Sequence, residues 1–138
     1  MKIKTDFVTN SSSTCFVVMR KDEILLNDFI KAVGVDANSQ FVDIFKELFE
    51  LCIEQVRPLE NFVYNDRWYK QGWTIEDYIK NIFSEETFLR IKKAQSDGFQ
   101  VFMGRLSSDN SAVEAYFCTN SFLIETENLI IDGTNDGW

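Results

Sequence analysis

The residue types that could carry chemistry are concentrated in two serine-rich segments. The first comprises Thr9, Asn10, Ser11, Ser12 and Ser13, and the second comprises Ser107, Ser108 and Asp109. Hydroxyls and backbone N–H groups in such segments can bind a phosphate or a carboxylate. Phosphate loops normally contain glycine and lead into a helix, whereas residues 9–13 contain no glycine and lead into a strand-like run. Two interpretations therefore stay open: a small-molecule or phosphate-binding module, or ordinary polar turns.

Histidine is absent from the 138-residue sequence. This excludes Ser–His and Cys–His nucleophile pairs and every metal site built on imidazole. Cys15 and Cys118 are the remaining candidate thiol nucleophiles, but each has a phenylalanine beside it, which favours a buried and inert thiol. We predict no catalytic residue, no cofactor and no metal, and we leave open a hydrolase that works without histidine.

Three carboxylates lie beside predicted loops that could meet at one end of a sheet: Asp109, Asp132 and Asp136. A hard cation prefers several such oxygen ligands. The spacing of Asp132 and Asp136 lacks the rest of any calcium-binding loop. A solvated turn is therefore the preferred interpretation.

An aromatic segment offers a candidate surface for protein recognition. Its residues are Tyr64, Arg67, Trp68, Tyr69 and Trp73. Tryptophan, tyrosine and arginine are enriched among the residues that anchor protein interfaces. The alternative is that these rings only cap the core beneath a long loop.

Composition narrows the class of protein. The formal net charge is −8, with no run of basic residues longer than two, which disfavours nucleic acid as a partner. No apolar stretch approaches the ~20 residues of a membrane span, and the opening residues lack the apolar core of a signal peptide. Three widely spaced cysteines indicate reduced thiols and a cytoplasmic protein.

The opening of the chain carries one family resemblance. Residues 7–13 read Phe-Val-Thr-Asn-Ser-Ser-Ser and follow a short lysine-rich start. This head resembles the start of many otherwise dissimilar, mostly uncharacterised prokaryotic proteins, over about residues 1–18. In those proteins the serine run usually continues, whereas this chain has Thr14-Cys15. The resemblance implies no established activity.

Hydrophobic periodicity and turn signals predict the elements that position these segments. Strands are predicted at 14–20, 99–106, 121–125 and 129–132, the first of them covered on both faces. Helices are predicted from Asp22 to Gly34, from Ser39 to before Pro58, from Thr74 to Phe83 and from Ser84 to Gly98. A small hairpin is predicted from 62–64 and 67–69, and residues 112–118 fit a helix better than a strand.

These elements predict one globular domain over residues 1–138. Its fold class is α+β, with a small mixed or mainly antiparallel sheet packed against three to four helices, and an α/β layered fold is the alternative. We expect a non-enzymatic, cytosolic protein-interaction or accessory domain that binds an unidentified protein partner or a second copy of itself. The alternative function is the small-molecule or phosphate-binding module described above.

Overall fold

The computed structural model describes residues 13–21, 25–34, 38–107 and 122–134. The elements in chain order are β1 (Ser13–Arg20), α1 (Leu26–Ala32), α2 (Val42–Glu54), β2 (Arg57–Pro58), α3 (Leu59–Asn65), α4 (Ile75–Ile82), α5 (Glu85–Ser96), β3 (Gln100–Ser107), β4 (Leu123–Glu125) and β5 (Leu129–Asp132). The predictions for residues 112–118 and the thiol of Cys118 fall outside the described residues. The helix predicted from Asp22 begins later, at Leu26, with Leu25 as its N-cap.

The five strands form one open sheet in the order β2-β3-β1-β5-β4, and every neighbouring pair is antiparallel. Helices pack on this sheet, which confirms the predicted α+β class. The predicted terminal hairpin is present as β4 and β5, in which Ile124 pairs with Ile131. The two-residue strand β2 at one edge was not predicted.

Strand β1 is the central strand, and its apolar run is covered on both faces as predicted. Cys15, Val17 and Met19 point towards a core formed with α3, α4 and α5. Phe16 and Val18 point to the opposite face, where they pack with α1 and α2. The alternation follows from the two-residue period of a strand, and it divides the core into two layers.

Local signals set most of the helix ends. Thr74 and Asp77 form a capping box at the start of α4, in which each backbone N–H donates to the other residue's side chain. The hydroxyl of Ser84 accepts the Thr87 N–H at the start of α5, over 3.1 Å. Gly98 follows α5 with φ 91°, a conformation that favours glycine. The prediction for Ser39 was less accurate, because α2 begins at Val42 with Phe41 as its N-cap.

The predicted hairpin of residues 62–64 and 67–69 is wrong, because the first half of that segment is helix α3. Pro58 precedes the helix, where its missing N–H costs little. Leu59 and Val63 lie four residues apart, so the helix buries both on one face. This burial outweighs the strand preference of the aromatic residues between and after them.

Candidate functional site

The predicted interaction residues lie at the C-terminal end of α3 and in the segment that connects it to α4. We call Tyr64, Arg67, Trp68, Tyr69 and Trp73 the aromatic surface. Trp68 and Tyr64 are 54% and 53% exposed, and Arg67 is also exposed. The two remaining rings, of Tyr69 and Trp73, are half-buried and pack against the core of the α3–α5 face. The aromatic surface therefore contains two exposed rings, Tyr64 and Trp68, and two rings that pack on the core, Tyr69 and Trp73.

Contacts within the aromatic surface fix the positions of the anchored rings. The hydroxyl of Tyr69 donates a hydrogen bond to the Trp73 carbonyl oxygen over 2.7 Å. The Tyr64 and Tyr69 rings meet edge to face, with centroids 5.2 Å apart. Such ring pairs stabilise a specific geometry as well as burying area. The half-buried rings thus join the exposed Tyr64 to the core.

Asp66 is the residue that holds the segment in place. Its carboxylate accepts hydrogen bonds from the Tyr78 hydroxyl (2.7 Å), the Arg105 guanidinium (2.5 Å) and the backbone N–H of Trp68 (3.3 Å). The Asp66 side chain is only 8% exposed. Asp66 lies two residues before Trp68, and its hydrogen bonds to Tyr78 and Arg105 tie this position to α4 and β3. The backbone that presents the Trp68 ring is therefore fixed from two elements at once.

Cations lie over the rings of this region. The Arg67 guanidinium lies 5.3 Å from the Trp68 ring centroid, and the Lys70 ammonium lies 5.3 Å from that of Trp73. Each contact falls within the distance at which a ring quadrupole attracts a cation. Arg67 and Lys70, both exposed, thus place positive charge beside the rings of Trp68 and Trp73.

Two concave features border the aromatic surface. A groove of about 710 Å³ runs between α3, α4 and α5, with Tyr64 and Lys92 at its margin and Leu59, Ile75 and Phe88 among its apolar lining. A smaller recess of about 200 Å³ lies on the other side of α3. Its lining residues are Gln55, Arg57, Phe62, Asn65, Asp66 and Arg105.

Two buried thiols lie on opposite faces of the sheet, Cys15 in the core beneath the aromatic surface and Cys52 in the core formed with α1 and α2. Burial is the main cause that raises the pKa of Cys15 to about 11, and the neighbouring Arg105 opposes the rise only in part. Burial likewise raises the pKa of Cys52 to about 12. The pKa of Tyr78 is also raised well above its ordinary value, first by burial and then by the negative charge that its neighbours carry or would acquire. None of these groups is ionised near neutral pH, so neither thiol is an activated nucleophile.

The described parts of the two serine-rich segments lie side by side. Ser13, the first residue of β1, pairs with Ser107, the last residue of β3. Thr9, Asn10, Ser11 and Ser12, together with Ser108 and Asp109, lie outside the described residues. The aromatic surface lies elsewhere, around α3 and the start of α4.

Asp132 is not in a solvated turn, so that interpretation was wrong. It ends β5 with its side chain fully buried, and it accepts hydrogen bonds from Arg90 (2.5 Å) and Thr87 (3.0 Å) of α5. The backbone N–H of Thr134 donates to its other oxygen over 2.9 Å. A buried carboxylate with these partners ties α5 to the sheet. Asp109 and Asp136 lie outside the described residues, and within the described ones no cluster of three or more His, Cys, Asp or Glu could hold a metal ion.

Sequence reasoning missed the partnership of Asp66 with Arg105. The predicted hairpin of residues 62–64 and 67–69 places Asp66 in its turn, because asparagine and aspartate are common turn residues. The available signal was Arg105, a charged residue inside the apolar strand run of residues 99–106. A charge in a buried strand requires a partner, but the sequence does not say which carboxylate supplies it.

Comparison with known proteins gives no information about the function of this chain. No protein-family model, curated protein or solved structure matches this chain. Within the described ranges, no helix has the length and apolar character needed to cross a membrane.

Proposed function

We propose that this protein is a protein-interaction domain and that it binds its partner, or a second copy of itself, through the aromatic surface. The observation that carries the proposal is the exposure of Trp68 on a backbone that Asp66 fixes by hydrogen bonds to two other elements. Large aromatic side chains and arginine contribute most of the binding free energy at many interfaces.

The fixed backbone matters because ordering a loop on binding costs free energy. A segment that is already held in one conformation loses less entropy when a partner covers it. Tyr69 and Trp73 provide this rigidity from below, while Tyr64 and Trp68 face solvent. In this proposal Tyr69 and Trp73 cover the core, and Tyr64 and Trp68 of the same segment contact the partner.

Two further observations support a non-enzymatic role in a reducing compartment. The chain has no histidine, and the pKa values of Cys15 and Cys52 keep both thiols protonated at neutral pH. Both cysteines are free and buried, as in proteins of the cytosol. We infer a cytoplasmic interaction or accessory domain.

Substitution of the most exposed ring of the surface tests the proposal. Trp68→Ala is compared with Phe41→Ala, because Phe41 is also 54% exposed but precedes α2 on the other side of the sheet. Tagged wild type and both variants are used to capture proteins from native lysate, and light scattering gives their molecular mass in solution. We expect Trp68→Ala alone to lose the captured partner or the self-association. Identical capture and mass for wild type and Trp68→Ala, with an unchanged thermal transition, would refute the proposal.

A second candidate function rests on the pairing of Ser13 with Ser107, the described residues of the two serine-rich segments. A phosphate or another small anion would bind there through hydroxyls and backbone N–H groups. Isothermal titration with phosphate compounds tests it, using a variant with Ser11, Ser12 and Ser13 all changed to alanine. No heat of binding, or equal affinity for both proteins, rules this candidate out.

A further inference from the structure

The surroundings of the aromatic surface differ in charge from the rest of the molecule. The whole chain carries a net charge of −8, yet residues 57–73 together with Arg105 hold four cationic side chains and two carboxylates. One of those carboxylates, Asp66, is already paired with Arg105. The region is therefore a local positive patch on an acidic protein, and its field favours a negatively charged partner.

The recess on the far side of α3 offers a carboxylate one cation, Arg57, since Asp66 and Arg105 in its lining pair with each other. Arg57 is exposed at its margin and has no ion pair among the residues that the structure describes. Arg57 pairs with Met103, and Met103 and Arg105 are two residues apart in β3, so the side chains of Arg57 and Arg105 lie on the same face of the sheet. A volume of about 200 Å³ holds a carboxylate group with bound waters, since one water takes about 30 Å³. The guanidinium group binds a carboxylate through two parallel hydrogen bonds more readily than an ammonium does.

We propose that the partner of the aromatic surface presents an acidic polypeptide segment, which lies across the cation-bearing rings and places one carboxylate in the recess beside Arg57. This inference rests on the proposed function and specifies the chemistry of its partner. Single-stranded nucleic acid carries the same sign of charge, but it is normally bound by a basic groove that follows the backbone over several nucleotides. The cations here instead flank a short helix and one small recess.

The test uses a labelled synthetic peptide rich in glutamate with one phenylalanine, and fluorescence anisotropy measures its binding. The control peptide has lysine in place of each glutamate. We expect the acidic peptide alone to bind. We also expect its affinity to fall at least about tenfold between roughly 0.01 M and 1 M salt, over which the Debye length falls from about 30 Å to about 3 Å. Absence of binding, or equal binding of the lysine peptide, overturns the inference.

Two arginine variants with the same change in net charge locate the site. Arg57→Gln should weaken binding of the acidic peptide by roughly two- to fivefold, the range of a partly exposed ion pair. Arg20→Gln should leave it unchanged, since Arg20 lies over the Phe102 ring on the opposite face of the sheet. Equal effects of the two variants overturn the inference, as does tighter binding of an oligothymidine than of the peptide.

The outcomes separate this inference from the proposed function. If Trp68→Ala abolishes capture of the cellular partner while Arg57→Gln and salt change nothing, the interaction surface stands and its acidic specificity is wrong. If Trp68→Ala changes neither capture nor peptide binding, both fail.

Discussion

Replacement of Asp66 by asparagine should both destabilise the fold and release the segment that presents Trp68. Asparagine has nearly the same shape as aspartate, so the change removes charge and one acceptor oxygen with little effect on packing. Three donors converge on this carboxylate: the Tyr78 hydroxyl, the Arg105 guanidinium and the Trp68 N–H. An asparagine amide turned towards either oxygen position places a donor against one of these donors.

The expected loss of stability in Asp66→Asn follows from how deeply each of these contacts is buried. The hydrogen bond from Tyr78 lies in a buried site and ends on a charged acceptor, so its loss costs about 1.5–3 kcal/mol. The Arg105 side chain is 23% exposed and keeps access to water, so its lost ion pair adds only about 1 kcal/mol. We expect Asp66→Asn to lower the free energy of unfolding by about 3 kcal/mol. Tyr78→Phe, which removes only the hydrogen bond between Tyr78 and Asp66, should cost about 1.5–3 kcal/mol.

Urea unfolding measures the loss of stability, and amide hydrogen exchange at Trp68 measures the release of the segment. The N–H of Trp68 should exchange faster in Asp66→Asn even where the global stability is matched by temperature, since its acceptor is altered. Asp97→Asn is the control, because Asp97 is exposed beyond α5 and its loss should change stability by less than about 0.5 kcal/mol. Equal stabilities of the Asp66 and Asp97 variants, with unchanged exchange at Trp68, would refute the anchoring role.

Two other predictions concern the core. Around pH 10 the unfolded thiols of Cys15 and Cys52 are ionised while the folded thiols, whose pKa values are raised to about 11 and about 12, are still mostly protonated, so each should lower the free energy of unfolding by up to about 1.4 kcal/mol per pH unit. Cys52→Ala should flatten that slope, and parallel pH curves of unfolding would contradict it. Gly104→Ala should destabilise by about 1–3 kcal/mol, because its Cβ would lie 2.7 Å from the Phe16 ring. Phe16→Leu should relieve that penalty in the double variant, and strictly additive unfolding free energies would argue against the clash.

Elements with a local cause could be predicted from the sequence. The continuous apolar run of β1 led to a strand covered on both faces, since alternate side chains must then enter two different cores. The capping box of Thr74 and Asp77 is made within four residues, so it does not depend on the rest of the chain. The binding role of the aromatic surface, inferred from residue types that are common at interfaces, stays a prediction.

Features that depend on distant partners could not be predicted. Asp132 and Arg90 lie 42 residues apart, and nothing near Asp132 in the sequence distinguishes a buried ion pair from a solvated turn. Asp66 and Arg105 are separated by 39 residues, and the turn propensity of Asn-Asp gave the wrong local structure. In both cases the fold brings a charge into a buried position, and the partner becomes apparent only when the sheet and helices are assembled.

The exposed area of Trp68 sets how much a partner would gain by covering this ring under the proposed function. An aromatic side chain buries about 150–250 Å² when fully covered, and Trp68 leaves about half of its surface in water. Covering the remaining roughly 100 Å² would contribute about 2.5 kcal/mol at about 25 cal/mol per Å². The folded protein does not gain this free energy, because the ring stays exposed. Asp66 nevertheless holds the backbone of Trp68 in place through a hydrogen bond from the Trp68 N–H. A partner that covers the ring gains it without ordering the segment first, so Trp68→Ala should weaken binding more than it weakens the fold.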